Sequence, residues 1–175
     1  MLVETERLIL RKFRESDFED YWQIFSQPEV TYFIGKGKAM TKSQAWMSMA
    51  TIFGHWQLRG YGILAVEERF SKVVVGRIGF LNPEGWPGFE LGWILNRNYW
   101  EKGYATEGAK ALLDYGFREL NRDRIVSLIH PGNTRSIRVA EKLGETLQDK
   151  AEVYGKKVLI YGIERSAFEM AYNSD

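Results

Sequence analysis

Gly92-Trp93-Ile94-Leu95, followed by Tyr99-Trp100-Glu101-Lys102-Gly103-Tyr104-Ala105-Thr106-Glu107, is the stretch on which the fold turns. The first part closes an apolar strand candidate, Phe89 to Leu95. The second part opens a helix whose one face carries Ala105, Ala109, Leu112, Leu113, Gly116, Phe117 and Leu120. Between them, Gly103 lets the backbone approach a ligand closely. The first turn of the helix offers unpaired N–H groups and a positive dipole end, which suits phosphate. Lys102 adds a point charge. A plain tight turn before a helix has the same local features, so the segment alone leaves both readings open. Other phosphate motifs do not fit. A P-loop needs Gly-Lys-Ser/Thr at the helix start, and Lys102-Gly103-Tyr104 has another order. Gly35-Lys36-Gly37 lacks the third glycine of a dinucleotide fingerprint and follows a helix.

Working outward, Arg124 to His130 reads as the strand after that helix, so Phe89 to His130 forms a β-α-β unit with two parallel strands side by side. Asn133 to Leu143 reads as a helix stopped by Gly144. Thr146 to Tyr154 and Lys157 to Glu164 read as a closing hairpin around Gly155. Upstream, Tyr61 to Glu67 and Val73 to Leu81 are strands joined through Arg69-Phe70-Ser71-Lys72. Pro83 to Gly88 supplies the turn into Phe89 to Leu95. Leu8-Ile9-Leu10 is a short strand signal. Ser16-Asp17-Phe18-Glu19 has the spacing of a capping box, before a helix with Phe18, Tyr21, Trp22 and Phe25 on one face and Pro28 at its close. Thr41-Lys42-Ser43-Gln44 caps a second helix with Trp46, Met49, Phe53 and Trp56 on one face, before Gly60. The aromatic set of these two helices, with Tyr32 and Phe33, is expected chiefly in the core. The order β-α-α-β-β-β-α-β-α-β-β describes an α/β fold with a mixed sheet and an antiparallel first half. Ligands in such sheets bind at the carboxyl ends of strands, where helices begin.

Composition narrows the function classes. The 175 residues, 45% hydrophobic and 27% charged, fit one globular domain spanning 1–175. The net charge of +1 provides no general field for nucleic acid or an anionic membrane. With no cysteine, a disulfide framework, a thiolate metal site and a cysteine nucleophile are excluded. His55 and His130 do not form a ligand pair, so structural roles and no metal are expected. The acidic opening Glu4-Thr5-Glu6 is unlike a signal peptide, and no apolar run matches a bilayer span of roughly 20 residues. A cytoplasmic location is expected.

The ordered set of motifs resembles the GNAT superfamily of N-acetyltransferases, in its RimJ/RimL-like branch. Thr5-Glu6-Arg7-Leu8-Ile9-Leu10-Arg11 is similar to that branch's opening, and Asp17 and Gln27-Pro28-Glu29-Val30 to its next landmarks. Gly92 to Leu95 with Tyr99 to Glu107 resembles its acetyl-CoA motif. Asn133-Thr134-Arg135-Ser136 and Glu141-Lys142-Leu143-Gly144 resemble its second block. The resemblance covers nearly the whole chain in order. It implies a mostly antiparallel central sheet, flanked by helices, with a parallel strand pair that splays. Acetyl-CoA would be the co-substrate and an amine the acceptor, either a protein N-terminus or a small molecule. Pantetheine would pair with backbone groups of Trp93, Ile94 and Leu95. Pyrophosphate would rest on Glu101, Lys102, Gly103, Tyr104, Ala105 and Thr106, with Asn133 and Ser136 beside the pantetheine and sulfur. The first two helices and their loop would cover the acceptor side.

Acyl transfer to an amine needs a base, an oxyanion donor and a way for the thiolate to leave. The family geometry assigns the donor to the Ile94 N–H. Glu90 is the candidate base, since partial burial in an apolar strand raises a carboxyl toward a useful value. An ordinary solvent-facing strand carboxylate is the competing reading. Glu107 fits better as a first-turn acid that stabilises its helix. Ser136 is the candidate partner of the leaving thiolate, or else part of a helix cap with Asn133. The chain departs from the wider superfamily at Ala140, where many members carry a tyrosine. Tyr154, water or no acid at all are the other options. Two further departures are Trp100, in place of an Arg or Gln, and Glu145, in place of a Phe, which implies a different surface near the last hairpin. Trp86 either contacts a partner or folds onto the sheet. Direct transfer in a ternary complex is expected, in a monomer or homodimer, with no nucleic acid or membrane partner. A non-catalytic acyl-CoA-binding module is the alternative.

Overall fold

Alternating burial along the strands and well-marked helix ends organise a single eight-stranded sheet in the computed structural model, which describes residues 2–172. Met1 and 173–175, part of the expected 1–175 domain, lie outside the described residues. The strands are β1 (Leu2–Glu4), β2 (Leu8–Arg11), β3 (Ile63–Glu68), β4 (Val74–Leu81), β5 (Glu90–Leu95), β6 (Arg124–Ile129), β7 (Thr146–Val153) and β8 (Lys156–Glu164). Their spatial order is β1-β2-β3-β4-β5-β6-β8-β7, and every neighbouring pair is antiparallel except β5–β6. That is the mixed sheet with one parallel pair expected from the sequence.

Among the described residues six α-helices accompany it: α1 (Phe18–Phe25), α2 (Pro28–Thr31), α3 (Lys42–Arg59), α4 (Tyr104–Arg118), α5 (Thr134–Lys142) and α6 (Arg165–Tyr172). Period-two alternation sends successive residues to opposite faces. Leu64, Ile78, Leu91 and Leu95 pack with Leu112, Leu113 and Phe117 of α4. Ile63, Ala65, Val74 and Ile94 pack with Tyr21 and Phe25 of α1 and Met49 and Ile52 of α3. The sheet thus separates an α4 face from an α1/α3 face, and the site lies where the two communicate.

Several local expectations change. Thr41 caps α3 as read, exchanging hydrogen bonds with Gln44, and Gly60 ends it in the left-handed conformation at φ 74°. The buried stripe of α3, however, is Ala45, Met49 and Ile52, with Trp56 half-buried beside them. Trp46 and Phe53 stand 57% and 46% exposed, because the helix turns its smaller residues toward α1. Tyr32, at 66%, also leaves the expected aromatic core. The turn before α1 is closed by Asp17, not by a Ser16–Glu19 box. Asp17 Oδ2 accepts from the Arg14 N–H at 2.7 Å, and both carboxylate oxygens take the Arg11 guanidinium at 2.7 and 2.8 Å. Arg11 Nε also reaches Glu67 at 2.8 Å, and this buried cluster joins β2, β3 and the start of α1. Pro28 opens α2 instead of only ending α1, at a position where its missing N–H costs nothing. Strand β1 and helix α6 lie outside the elements expected from the sequence.

Candidate active site

The β5–β6 joint is the feature that makes a site. The two strands are in register at one position only, Glu90 opposite Val126, where the Val126 N–H donates to Phe89 O at 3.0 Å. A parallel ladder would continue with a bond from the Leu128 N–H to Leu91 O. Two side chains replace that rung. Ser127 Oγ donates to Leu91 O at 2.9 Å, and the Leu128 N–H is turned to the Glu90 carboxylate. Beyond this vertex the strands part, and a cavity of about 1020 Å³ extends along the gap.

Which backbone groups face the gap follows from the antiparallel β4–β5 ladder. The Asn96 N–H donates to Val75 O at 2.8 Å, and the register pairs Arg77 with Ile94 and Gly79 with Gly92. Antiparallel pairs alternate between bonded and non-bonded. The Ile94 peptide groups therefore belong to the ladder with Arg77, while those of Trp93 and Leu95 face the gap. The Ile94 N–H, the expected oxyanion donor, is thus engaged in the ladder with Arg77, and the period-two parity turns the Trp93 N–H to the gap in its place. Leu95 O is already taken by Trp100 Nε1 at 2.9 Å, so of Leu95 the N–H is what faces the gap.

At the mouth, Gly103 stands at φ 81° as the residue before α4 and Glu101 at φ 62°, so the loop curls and turns the first N–H groups of α4 outward. A side chain at Gly103 would be strained by that φ and would meet Arg7 Nη2 at 3.4 Å. The loop is held from behind. Arg7 Nη1 donates to Lys102 O at 2.9 Å, and Arg7 Nε to Glu107 Oε2 at 2.7 Å. Thr5 Oγ1 and the Arg7 N–H both reach Glu107 Oε1, at 2.6 and 2.9 Å. Burial pushes the Glu107 carboxyl up, but these hydrogen bonds and the Arg7 charge prevail and hold it below its ordinary value. Glu107 thus ties the first turn of α4 to the Thr5–Arg7 segment, a contact distant in sequence that a first-turn acid alone does not imply. Lys102 Nζ lies 4.7 Å from the Tyr99 ring.

Helix α5 forms the opposite wall. Asn133 Oδ1 accepts from the Ser136 N–H at 3.2 Å, which caps the helix, and both residues line the cavity. Arg135, Arg138 and Lys142 line it too, a cationic flank absent from the sequence-based site. Arg135 lies 4.2 Å over the Trp100 ring, the partner that this aromatic substitution acquires. Ala140 is fully buried against Ile129 and Tyr161, so the position of the absent tyrosine faces the core here.

Glu90 is half-buried at the vertex, on the α1/α3 face. Trp86 folds inward, as one of its two expected placements had it, and donates from Nε1 to Glu90 Oε2 at 2.7 Å. Burial pushes the Glu90 carboxyl up to about 7, against the lowering pull of Trp86, Arg77 and the Leu128 peptide. Behind the vertex, Glu145 is buried at 2% exposure, with Oε1 3.0 Å from Ser127 Oγ. Among the described residues its Oε2 has no hydrogen-bond partner. Burial holds this carboxyl up to about 8, opposed by Ser127 and reinforced by the Glu90 charge. The expected surface departure at Glu145 is in fact an interior one.

Phe33, His130, Trp86 and Tyr154 line the outer part of the cavity, with Phe33 and His130 rings 5.0 Å apart. His130 Nδ1 accepts from the Gly132 N–H at 3.0 Å. His55 Nδ1 bonds Tyr61 O at 2.9 Å, and its Nε2 accepts from the Asn82 N–H at 3.3 Å. Both histidines bond backbone groups, and His130 also stands in the cavity wall.

The model of the acetyltransferase (GNAT) domain matches residues 7–146. An uncharacterized N-acetyltransferase of Bacillus subtilis strain 168, YnaD, is 34% identical over 144 residues, 82% of each chain. The crystal structure of an acetyltransferase from Agrobacterium tumefaciens C58 superposes with a TM-score of 0.82 at 32% identity, covering 94% of both chains. RimL, a ribosomal L7/L12 alpha-N-protein acetyltransferase solved with coenzyme A, shares the fold at a TM-score of 0.79 and 18% identity, over 95% of this chain and 99% of that one.

Proposed function

The chain belongs to the GNAT acetyltransferases, and from that premise we propose that it moves the acetyl group of acetyl-CoA to a primary amine by direct attack in a ternary complex. The observation that carries this reading is the interrupted β5–β6 ladder with the Gly103 loop at its mouth. The open first turn of α4 and the cations of α5 suit the phosphates of coenzyme A. The gap suits an extended pantetheine arm that pairs with Trp93 and the Leu95 N–H. Acetyl-CoA supplies the activated acetyl thioester. The resemblance of the Thr5-Glu6-Arg7 opening to that of the RimJ/RimL-like branch, with the fold shared with RimL, supports placement in that branch.

The chain's residues divide the work. Glu90, ionised, takes a proton from the acceptor ammonium, directly or through water, so that the neutral nitrogen attacks the thioester carbonyl. A carboxyl with a pKa near 7 suits that exchange. The Trp93 N–H stabilises the charge that develops on the carbonyl oxygen as the C–N bond forms and the C–S bond breaks. Ser136 hydrogen-bonds the departing thiolate, which takes up, through water, the second proton that the nitrogen sheds as the amide forms. A thiol is a good leaving group, so the buried Ala140 removes nothing essential.

Thiol release from acetyl-CoA against a panel of peptides, polyamines, amino acids and aminoglycosides tests this. Wild type should turn over at least one class, with kcat/KM rising as pH passes 7 and Glu90 loses its proton. Glu90→Gln should lose roughly 100-fold or more. Coenzyme A binding in calorimetry with no release for any amine would leave only the binding-module alternative.

A further inference from the structure

The acceptor side of the cavity contains an ionic group that the transfer chemistry does not use. Arg77 lies on β4 opposite Ile94, on the same sheet face as Glu90 and Gly92. Its Nη1 donates to the buried Tyr21 hydroxyl at 2.7 Å, and the guanidinium lies 4.7 Å over the Phe25 ring. Both contacts are with neutral groups. Among the described residues no carboxylate stands within ion-pair distance of it. The guanidinium lines the main cavity and also a smaller one of about 200 Å³, walled by Ser48, Thr51 and His55 of α3. Half-buried charges are ordinarily paired, because desolvation otherwise goes uncompensated. Arg77 is thus a fixed, oriented cation whose field reaches Glu90 across the sheet face without a direct ion pair, and a ligand carboxylate would supply that pair.

The phosphates of coenzyme A do not supply that partner in this arrangement. Their proposed cradle is at the start of α4, which packs on the opposite face of the sheet. The floor between Arg77 and Glu90 is the Gly79–Gly92 pair. A Cβ at Gly92 would meet only the Glu90 carboxyl, with Oε1 at 3.5 Å, so the surface above it is open. One face thus presents a carboxylate for an ammonium at the vertex, an open surface over Gly92 bounded on the Gly79 side by the β3 backbone, and a guanidinium beyond it.

Resting on the amine-acetyltransferase reading, we propose that the acceptor is a primary amine that carries a carboxylate, with Arg77 as the residue that selects it. An Arg–carboxylate pair would fix the acceptor with its nitrogen toward Glu90. The same chemistry occurs in a free amino acid and in the acidic first residue of a peptide.

The test is thiol release with matched pairs: free amino acids against their carboxamides, and C-terminally amidated peptides beginning with Asp against those beginning with Asn. The charged member of at least one pair should have the higher kcat/KM, by roughly 10- to 100-fold, as a hydrogen bond to a charged group implies. Whichever pair shows the preference identifies the source. Arg77→Met, checked for a wild-type melting temperature, should collapse that ratio toward one, and Arg77→Lys should retain part of it. The wild-type ratios alone decide the matter if Arg77→Met does not fold. Equal use of both members, or preference for the neutral ones, overturns the inference while leaving the acetyltransferase reading intact. Release with no amine at all removes both.

Discussion

Two carboxyls separated by the splay show how much chemistry single residues carry. Glu90 opens to the cavity, and burial raises its carboxyl to about 7, which suits the base role proposed for it. Glu145 is shut behind Ser127 and is held protonated by burial up to about 8, from an ordinary 4.5. The sign of its effect on stability follows. Between those two values the folded chain holds a proton that the unfolded chain has lost. Stability therefore falls as pH rises, with a slope on the order of 1.4 kcal/mol per pH unit from this group. Glu90 adds a parallel loss up to about pH 7. Glu145→Gln removes the first contribution and keeps the shape. Urea unfolding at pH 5, 6.5 and 8 should show the variant gaining on wild type as pH increases. A constant difference across that range would mean that Glu145 is charged in the folded protein. The residue was visible in the sequence as a departure from a phenylalanine. Its burial was not, because only the pairing of β6 with β8 and the packing of α5 and α6 place it behind the vertex.

At the scale of elements, the Gly103 loop is positioned by the opposite end of the chain. Thr5 and Arg7, in the turn between β1 and β2, grip Glu107 of α4 and Lys102 of the loop. The arrangement orients the first turn of α4, so its loss should appear in ligand affinity before it appears in folding. Arg7 is 43% exposed in its side chain, so truncation leaves no buried hole. Arg7→Ala should raise the calorimetric Kd for acetyl-CoA about tenfold, the magnitude of one charged hydrogen bond. An unchanged Kd with a lowered melting temperature would reduce the clamp to a structural tie. Elements with strong periodicity or capping, such as β4, β5, α3 and α4, were legible in the sequence, and so was the glycine loop. The parity of β5 was not. A strand's alternation says which residues share a face, but only the partner's register says which peptide groups are bonded, and that register turns the Trp93 N–H, not the Ile94 N–H, toward the gap. The stripe of α3 slipped for a related reason. Trp46 and Phe53 satisfy helical spacing as well as Ala45 and Ile52 do, and hydrophobicity alone favours the larger pair. Strand β1 has three residues, and α6 buries little beyond Phe168, so neither left a periodic signal. Arg77 and Trp86 gain their roles from neighbours distant in sequence or across a turn.

For the whole molecule, the same interruption that admits a ligand weakens the sheet. Strands β1 to β5 are joined by antiparallel ladders with one register shift at Val66/Glu67, and β6, β8 and β7 form a second set with one at Leu147/Asp149. Between them stands one register pair, and the remaining connection is through α4, α5 and α6 and the cluster around Leu91, Leu143 and Phe168. Proteins open in cooperative units along such joints. Strand β7 is mostly exposed on the outer edge, which places it at the low end of local stability. Hydrogen exchange should therefore show amides of β7 and β8 opening below the global unfolding free energy, while β3 and β4 exchange only through it. A ligand lying across the gap joins the two sets, and one that binds only the closed form stabilises it by RT ln(1 + [L]/Kd). Saturating coenzyme A should slow exchange in β5, β6 and the first turn of α4, and should raise β7 and β8 toward the protection of the first set. Equal protection across all eight strands without ligand would mean that the helices alone weld the halves together. A gain confined to α4 would mean that the phosphates are held while the gap between β5 and β6 stays unbridged.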